Sequence, residues 1–278
     1  MDIDSDDDQT ESEDDDTTET DISSKRLCIP STTKKDREEL RIVRNNFAEE
    51  YDPWDTSMVP EYAEDIFRYM RELEVPIPLF LARDTKYKYR MTPNPNYMSS
   101  QRELGWHMRR VLIDWLIQVH ARFHLLPETL FLTVNIIDRF LTLRNVPIDK
   151  LQLVGATSIF IASKYEEITC PSVDEIVFMV DNGYSREEIL EAERFMVNML
   201  QFELGWPGPM SFLRRISKAD DYDVNTRTLA KYLLEVTIID ERFVASPPSF
   251  VAAVTHSLAR RMLNKGHWVV YLKKVKDR

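Results

Sequence analysis

The chain has 278 residues, 30% of them charged and 43% hydrophobic, with a formal net charge of -11, six glycines and two cysteines. That length accommodates two domains of ordinary size plus a tail, while Cys28 and Cys170 are too few for a disulfide framework. No signal peptide and no apolar run of membrane-spanning length stands in the sequence, so no membrane partner is expected and the compartment is read as reducing, nucleus and cytoplasm.

The net charge belongs to one end. Residues 1–24 hold twelve Asp or Glu and no Lys or Arg, and setting them aside leaves 35 acidic against 36 basic residues. A segment so charged and so poor in large apolar groups does not bury enough surface to offset its ordering entropy, so 1–57 reads as a disordered acidic extension. Within it, Arg37 and Leu40 have the spacing Arg-x-x-Leu, followed by Val43 and Asn45, and residues 36–50 have enough helical character to order on binding.

The next element is a helix over 60–74, opened by a proline suited to a first helical turn, with Tyr62, Ile66, Tyr69, Met70 and Leu73 as its stripe. Four prolines and no helical period between 75 and 98 predict a long loop. Five helices follow, at about 101–123, 127–143, 148–166, 172–180 and 185–201, with Pro127, Pro147 and Pro171 near the breaks, where a fixed φ and a missing amide cost least. In the first of these, Met108, Val111, Leu112, Trp115, Leu116, Val119 and Phe123 recur at steps of three and four, an apolar surface wide enough for core and partner together. After a Gly- and Pro-rich linker, further helices are expected near 209–217, 225–241 and 246–264. The fold class is all-α.

No phosphate loop, nucleophile elbow or paired-carboxylate pattern is present, so catalysis by this chain and a bound cofactor are not expected. His120 and His124 stand one helical turn apart, a spacing that suits a metal, but they lack the zinc-protease glutamate and a third ligand nearby, and no metal site is assigned.

Four blocks in order, Met108-Arg-Arg-Val-Leu-Ile-Asp-Trp-Leu-Ile-Gln-Val-His120, Ile136-Ile-Asp-Arg-Phe-Leu141, Lys150-Leu-Gln-Leu-Val-Gly155 and Ala162-Ser-Lys-Tyr-Glu-Glu-Ile168, resemble the cyclin box. The words Phe212-Leu-Arg-Arg-Ile-Ser-Lys218 and Arg227-Thr-Leu-Ala-Lys-Tyr-Leu233 resemble the B-type, mitotic cyclins, in a fungal form. The resemblance implies a cyclin fold: an N-terminal helix and Pro-rich loop over 58–98, a five-helix cyclin box over 99–203, and a second, incomplete box over 204–278. Residues 78–90 make the loop longer than the cyclin pattern, and 269–278 do not match the helices that usually follow. A truncated second box is therefore expected, leaving Ile238, Val251, Val254 and Leu258 short of packing partners.

What the resemblance implies for function is a regulatory subunit that binds and activates a cyclin-dependent kinase at the G2/M transition. The kinase-facing residues would be Lys164 and Glu193, with Glu166 and Glu167 on the same surface and Phe202, Tyr62 and Ile66 as apolar anchors. A patch for Arg-x-Leu substrate motifs would comprise Met108, Val111, Leu112, Trp115, Gln118 and Gln152, with Asp181 facing the motif's Arg. Gln118 stands where A-type cyclins usually carry Glu, which weakens charge complementarity. Arg109 and Asp138 would meet as a structural ion pair. Arg37, Leu40, Val43 and Asn45 match a destruction box, and so imply recognition by ubiquitin-ligase degradation machinery. The alternative is a cyclin-fold transcription factor, which would call for a basic surface, whereas the region after the tail is nearly neutral, so no nucleic acid partner is expected.

Overall fold

The computed structural model describes residue 34, residues 59–74, 91–218 and 220–266. The candidate destruction box, the acidic extension, the 78–90 segment and residues 267–278 lie outside them. Regular structure among the described residues is helical throughout. A 3-10 turn at Pro60–Tyr62 leads into α1 (Ala63–Glu74). Another, Tyr97–Ser100, precedes α2 (Trp106–Phe123), which is followed by α3 (Pro127–Leu143), α4 (Leu151–Glu166), α5 (Val173–Met179) and α6 (Arg186–Met199). Then come α7 (Pro209–Lys218), α8 (Val224–Ile239) and α9 (Pro248–Met262).

Two of these helices are apolar nearly all round, and they sit at the centre. Every residue from Thr129 to Leu141 on α3 is buried, as is every residue from Val154 to Ser163 on α4. A helix with no polar face has to be enclosed by its neighbours. α2 and α6 do so here, contributing Leu112, Leu116, Val119, Met196 and Leu200 to the first core. Gly155 permits the close approach of α2: a Cβ there would lie 2.7 Å from Leu112 Cδ1.

The boundaries follow local chemistry. α2 ends at His124, whose φ of 54° reverses the chain, and Pro127 opens α3. Ser172 with Glu175 and Ser185 with Glu188 form reciprocal capping boxes on α5 and α6, each worth about 1 kcal/mol. The helix predicted from 101 instead starts at Trp106, and Gln101 explains the difference. Its side-chain amide donates to the carbonyls of Leu141 (2.7 Å) and Arg144 (2.6 Å) and accepts from Val146 N (3.0 Å), clamping the end of α3 from an extended backbone.

A second core gathers α7, α8 and α9 around Phe212, Leu213, Ala230, Leu234 and Ala259, and Phe67 from α1 and Phe131 from α3 enter it. The stripe divides: α1 buries Ala63, Phe67 and Glu74 and packs Met70 on this core, while Ile66 and Tyr69, with Tyr62 of the preceding turn, stay exposed. The expectation for the second set of helices is corrected as well. Val251 is buried in this core and Ile238 packs on it, while Val254 and Leu258 remain 44% and 41% exposed. Polar ties fix the flanking segments: Ser249 of α9 donates from its N–H (2.9 Å) and hydroxyl (2.5 Å) to the Glu74 carboxylate at the end of α1, and Arg139 of α3 donates to the Glu203 carbonyl in the turn after α6 at 2.8 Å.

Candidate partner-binding surface

Lys164 stands in the last turn of α4 and Glu193 on α6, and their side chains meet at 2.6 Å. The Lys164 ammonium also lies 3.9 Å from the centroid of the Phe160 ring, so the chain is drawn across an aromatic face rather than left free in solvent. The pair keeps part of its surface accessible, 38% for the lysine side chain and 18% for the glutamate.

Glu166 and Glu167, adjacent in sequence, have different tasks. Glu167 Oε1 accepts from Leu126 N at 2.7 Å and Thr129 Oγ1 at 2.5 Å, so it serves the start of α3, whose N-cap residue Leu126 has no side-chain acceptor of its own. It is half-buried, as Glu166 is, so both stay partly accessible while only Glu167 is tied to the start of α3. Glu166 is half-buried, and its pKa is raised first by burial and then by the carboxylates of Glu128 and Glu167. It lines a cleft with Tyr69, Tyr165 and Trp206, which brings the end of α1, the end of α4 and the linker after α6 together. Tyr165 is 53% exposed and Tyr69 is 60% exposed. Sequence reasoning assigned neither to a surface, although Tyr69 follows Ile66 by three positions and Tyr165 adjoins Lys164.

Phe202 is 70% exposed, and Gln201 and Phe202 are consecutive left-handed residues with φ of 55° and 59°. Such a conformation costs a non-glycine residue about 1–2 kcal/mol. Hydrogen bonds hold the turn: Phe202 N donates to Val197 O at 3.0 Å, and Arg139 fixes the next carbonyl. The ring is thereby held out in solvent. Tyr62 and Ile66, 58% and 40% exposed, extend the apolar surface along α1.

On α2 the proposed substrate patch divides. Val111 is 68% exposed, Gln118 and Gln152 are exposed, and Met108 and Trp115 are half-buried against the first core. Leu112 is corrected to core: it is only 6% exposed and sits over Gly155. Asp181 is exposed in a left-handed turn (φ 52°) after α5, a helix that adjoins α2 where Arg122 covers the Phe178 ring. Asp114 is exposed, so its charge does not enter the core. His120 Nε2 lies 2.9 Å from the Leu126 carbonyl, a local bond across the α2–α3 turn.

Arg109 and Asp138 form a bidentate pair, Nε to Oδ1 at 2.7 Å and Nη2 to Oδ2 at 2.8 Å, with side chains 2% and 4% exposed. Tyr97 donates its hydroxyl to Asp138 Oδ1 at 2.8 Å, and Arg109 Nη1 donates to the carbonyls of Ile238 (3.1 Å) and Ile239 (3.4 Å). Burial works against the arginine's charge, but the Asp138 carboxylate outweighs it and the pKa is raised. For Tyr97, burial and then the Asp138 charge push the phenol well above its usual range. The pair therefore holds α2 to α3 and to the far end of α8.

Comparisons with known proteins agree on one family. Residues 77–205 match the family model "Cyclin, N-terminal domain" and residues 207–276 match "Cyclin, C-terminal domain". The chain is 59% identical over 217 residues to G2/mitotic-specific cyclin-4 of Candida albicans, covering 78% of this chain and 42% of that protein. It is 54% identical over 214 residues to G2/mitotic-specific cyclin cdc13 of Schizosaccharomyces pombe, covering 77% of this chain and 42% of the relative. The chain thus spans less than half the length of these relatives. Among solved structures, a viral cyclin from herpesvirus saimiri shares the fold with a TM-score of 0.62 at 18% identity, over 77% of this chain and 90% of that one. With its cyclin fold and these relatives, the chain belongs to the cyclin family, in its B-type, G2/mitotic branch.

Proposed function

We propose that this chain is the regulatory subunit of a cyclin-dependent serine/threonine kinase, acting at the G2/M transition in nucleus and cytoplasm. The observation that carries the reading is the partly accessible Lys164–Glu193 pair, together with the exposure of Tyr165, Phe202, Tyr62 and Ile66. A large, stable interface has this composition, with aromatic and aliphatic anchors for binding energy and few charged groups to set register.

Kinase catalysis requires an ion pair between a strand lysine and a glutamate on the kinase's C helix. A cyclin that packs against that helix binds the paired state better than the unpaired one. Moving the partner from 1:99 to 99:1 active takes about 5.5 kcal/mol of differential binding, which an interface of standard size can supply. The ATP site and the catalytic residues then belong to the partner. The exposed part of the α2 patch would take Arg-x-Leu substrates, with the leucine on Val111 and Trp115 and the arginine toward Asp181. Residues 37–45 would hand the protein to a ubiquitin ligase.

The test is reconstitution with a B-type-cyclin-dependent kinase. Lys164→Ala with Glu193→Ala should lower both kinase capture and histone phosphorylation by at least tenfold while leaving the helical circular dichroism unchanged. Capture and activation equal to those of the parent would refute the assignment.

A further inference from the structure

We propose that the groove between the α3–α4 turn and α6 is a second peptide-docking site, which takes an extended segment of a partner protein carrying acidic residues beside large apolar ones. The groove has a volume of about 480 Å³, and its walls include Phe140, Val146, Leu153, Phe195 and Met196. That volume falls in the range of sites that enclose a few side chains. Phe195 is 47% exposed, yet its ring is fixed edge-on to Phe140, with centroids 6.1 Å apart and planes at 82°. A half-exposed aromatic held in one orientation offers contact area at little entropic cost.

Two cations stand at the margin, Arg144 and Lys150. Lys150 is partly answered, by Glu188 at 3.7 Å and by the Tyr184 ring at 5.3 Å. Arg144 is held differently: its guanidinium lies 5.8 Å from the Phe195 ring centroid and its Nη2 is 3.5 Å from Met199 Sδ, and no carboxylate is paired with it among the described residues. A charge oriented by an aromatic face and a thioether is positioned but not neutralised, so the groove presents apolar walls under net positive charge. An acidic group flanking an aromatic or leucine side chain complements both features at once.

The acidic segment 1–24 of this same chain supplies the charge but not the anchors, since beside Met1 its large apolar residues are Ile3 and Ile22. A separate partner is favoured. Leu153 stands about 100° round α4 from Gln152, so the groove and the α2 patch use different faces of that helix. The inference does not depend on the kinase reading.

The test uses the full chain and a fluorescein-labelled synthetic peptide, Ser-Asp-Asp-Phe-Asp-Leu-Ser-Gly, followed by anisotropy, with a second peptide in which Lys replaces each Asp. Saturable binding with a micromolar Kd is expected. It should weaken at least tenfold in Arg144→Glu, by a smaller factor in Arg144→Gln and severalfold between about 50 and about 300 mM salt, and should be unchanged in Val111→Ser. Arg144 is exposed, so both variants should keep the parent's thermal midpoint. Failure to saturate at about 1 mM, equal binding of the Lys peptide, or Arg144→Glu within twofold of the parent would overturn the proposal. Loss of binding in Val111→Ser would assign the peptide to the α2 patch instead. An Arg144-dependent dimer in sedimentation would mark the groove as a contact between copies of this chain and would likewise overturn it.

Discussion

Asp138→Asn tests the centre of the molecule. The carboxylate accepts three bonds, from Arg109 Nε and Nη2 and from the Tyr97 hydroxyl, and the Arg109 side chain it neutralises is 2% exposed. Asparagine preserves the volume, so no cavity contributes. It presents one oxygen where there were two and turns an amide N–H toward a guanidinium N–H. Removing one partner of a buried ion pair costs about 3–5 kcal/mol, because the survivor stays charged and unanswered. At about 2–4 °C per kcal/mol for a chain of this size, the melting temperature should fall by roughly 6–20 °C. Urea unfolding monitored by circular dichroism gives the free energy directly. Since Arg109 Nη1 also donates to the last carbonyls of α8, amide exchange over 234–239 should accelerate more than over 154–163. The paired substitution Arg109→Met with Asp138→Leu removes both charges and should cost well under the sum of the two single changes. A loss below about 1 kcal/mol in Asp138→Asn, or additivity in the pair, would refute the reasoning.

Leu112→Ala should cost about 2–5 kcal/mol of stability as a core truncation, while Val111→Ala one position earlier should cost little stability and weaken binding of an Arg-x-Leu peptide; equal stabilities would return Leu112 to the surface. His256 is buried beside Asp220 and Arg260, and burial lowers its pKa from the usual 6.5 against the pull of Asp220. The unfolded chain therefore takes up a proton that the folded chain refuses, and this residue's contribution to stability is lost as pH falls from about 6.5 toward the depressed value. His256→Gln should flatten the change in urea midpoint between about pH 7.5 and pH 5.5; an unaltered slope would show that other groups set it.

What could be seen in the sequence depended on whether the cause was local. The central helices were legible because α3 and α4 carry apolar residues nearly all round, and the breaks because proline and serine stand where a backbone amide needs relief. The start of α2 was not, since Gln101 is drawn away by carbonyls of Leu141 and Arg144, forty and more positions on. Leu112 and Val111 look alike in periodicity, and what separates them is the missing side chain at Gly155 on another helix. Glu167 resembles its neighbour Glu166 until the uncapped start of α3 arrives beside it. The inner face of α1 was not legible because it meets a second core to which Phe131 of α3 contributes: Phe67 is buried there, while the anchors Tyr62 and Ile66 stay exposed.

The exposed tyrosines of α1 bear on how activation would be transmitted. α1 is not an independent arm. Phe67 packs on Phe212 with ring centroids 5.8 Å apart and is covered by the Arg215 guanidinium at 4.2 Å, and Glu74 is bonded to Ser249 at the start of α9. The helix is thus held by the second set of helices while its outer stripe and Tyr165 of the first set border one cleft. Arg109 adds the reverse connection, from α2 to the end of α8. A partner helix laid across Tyr62, Ile66 and Lys164 would therefore meet both halves at once, on a surface whose parts are cross-braced by buried charge and so resist yielding separately. A helix bound there would be repositioned by as much as the surface binds its two positions differently, and Asp138 and Glu74, rather than the residues in contact, brace the surface that makes the difference.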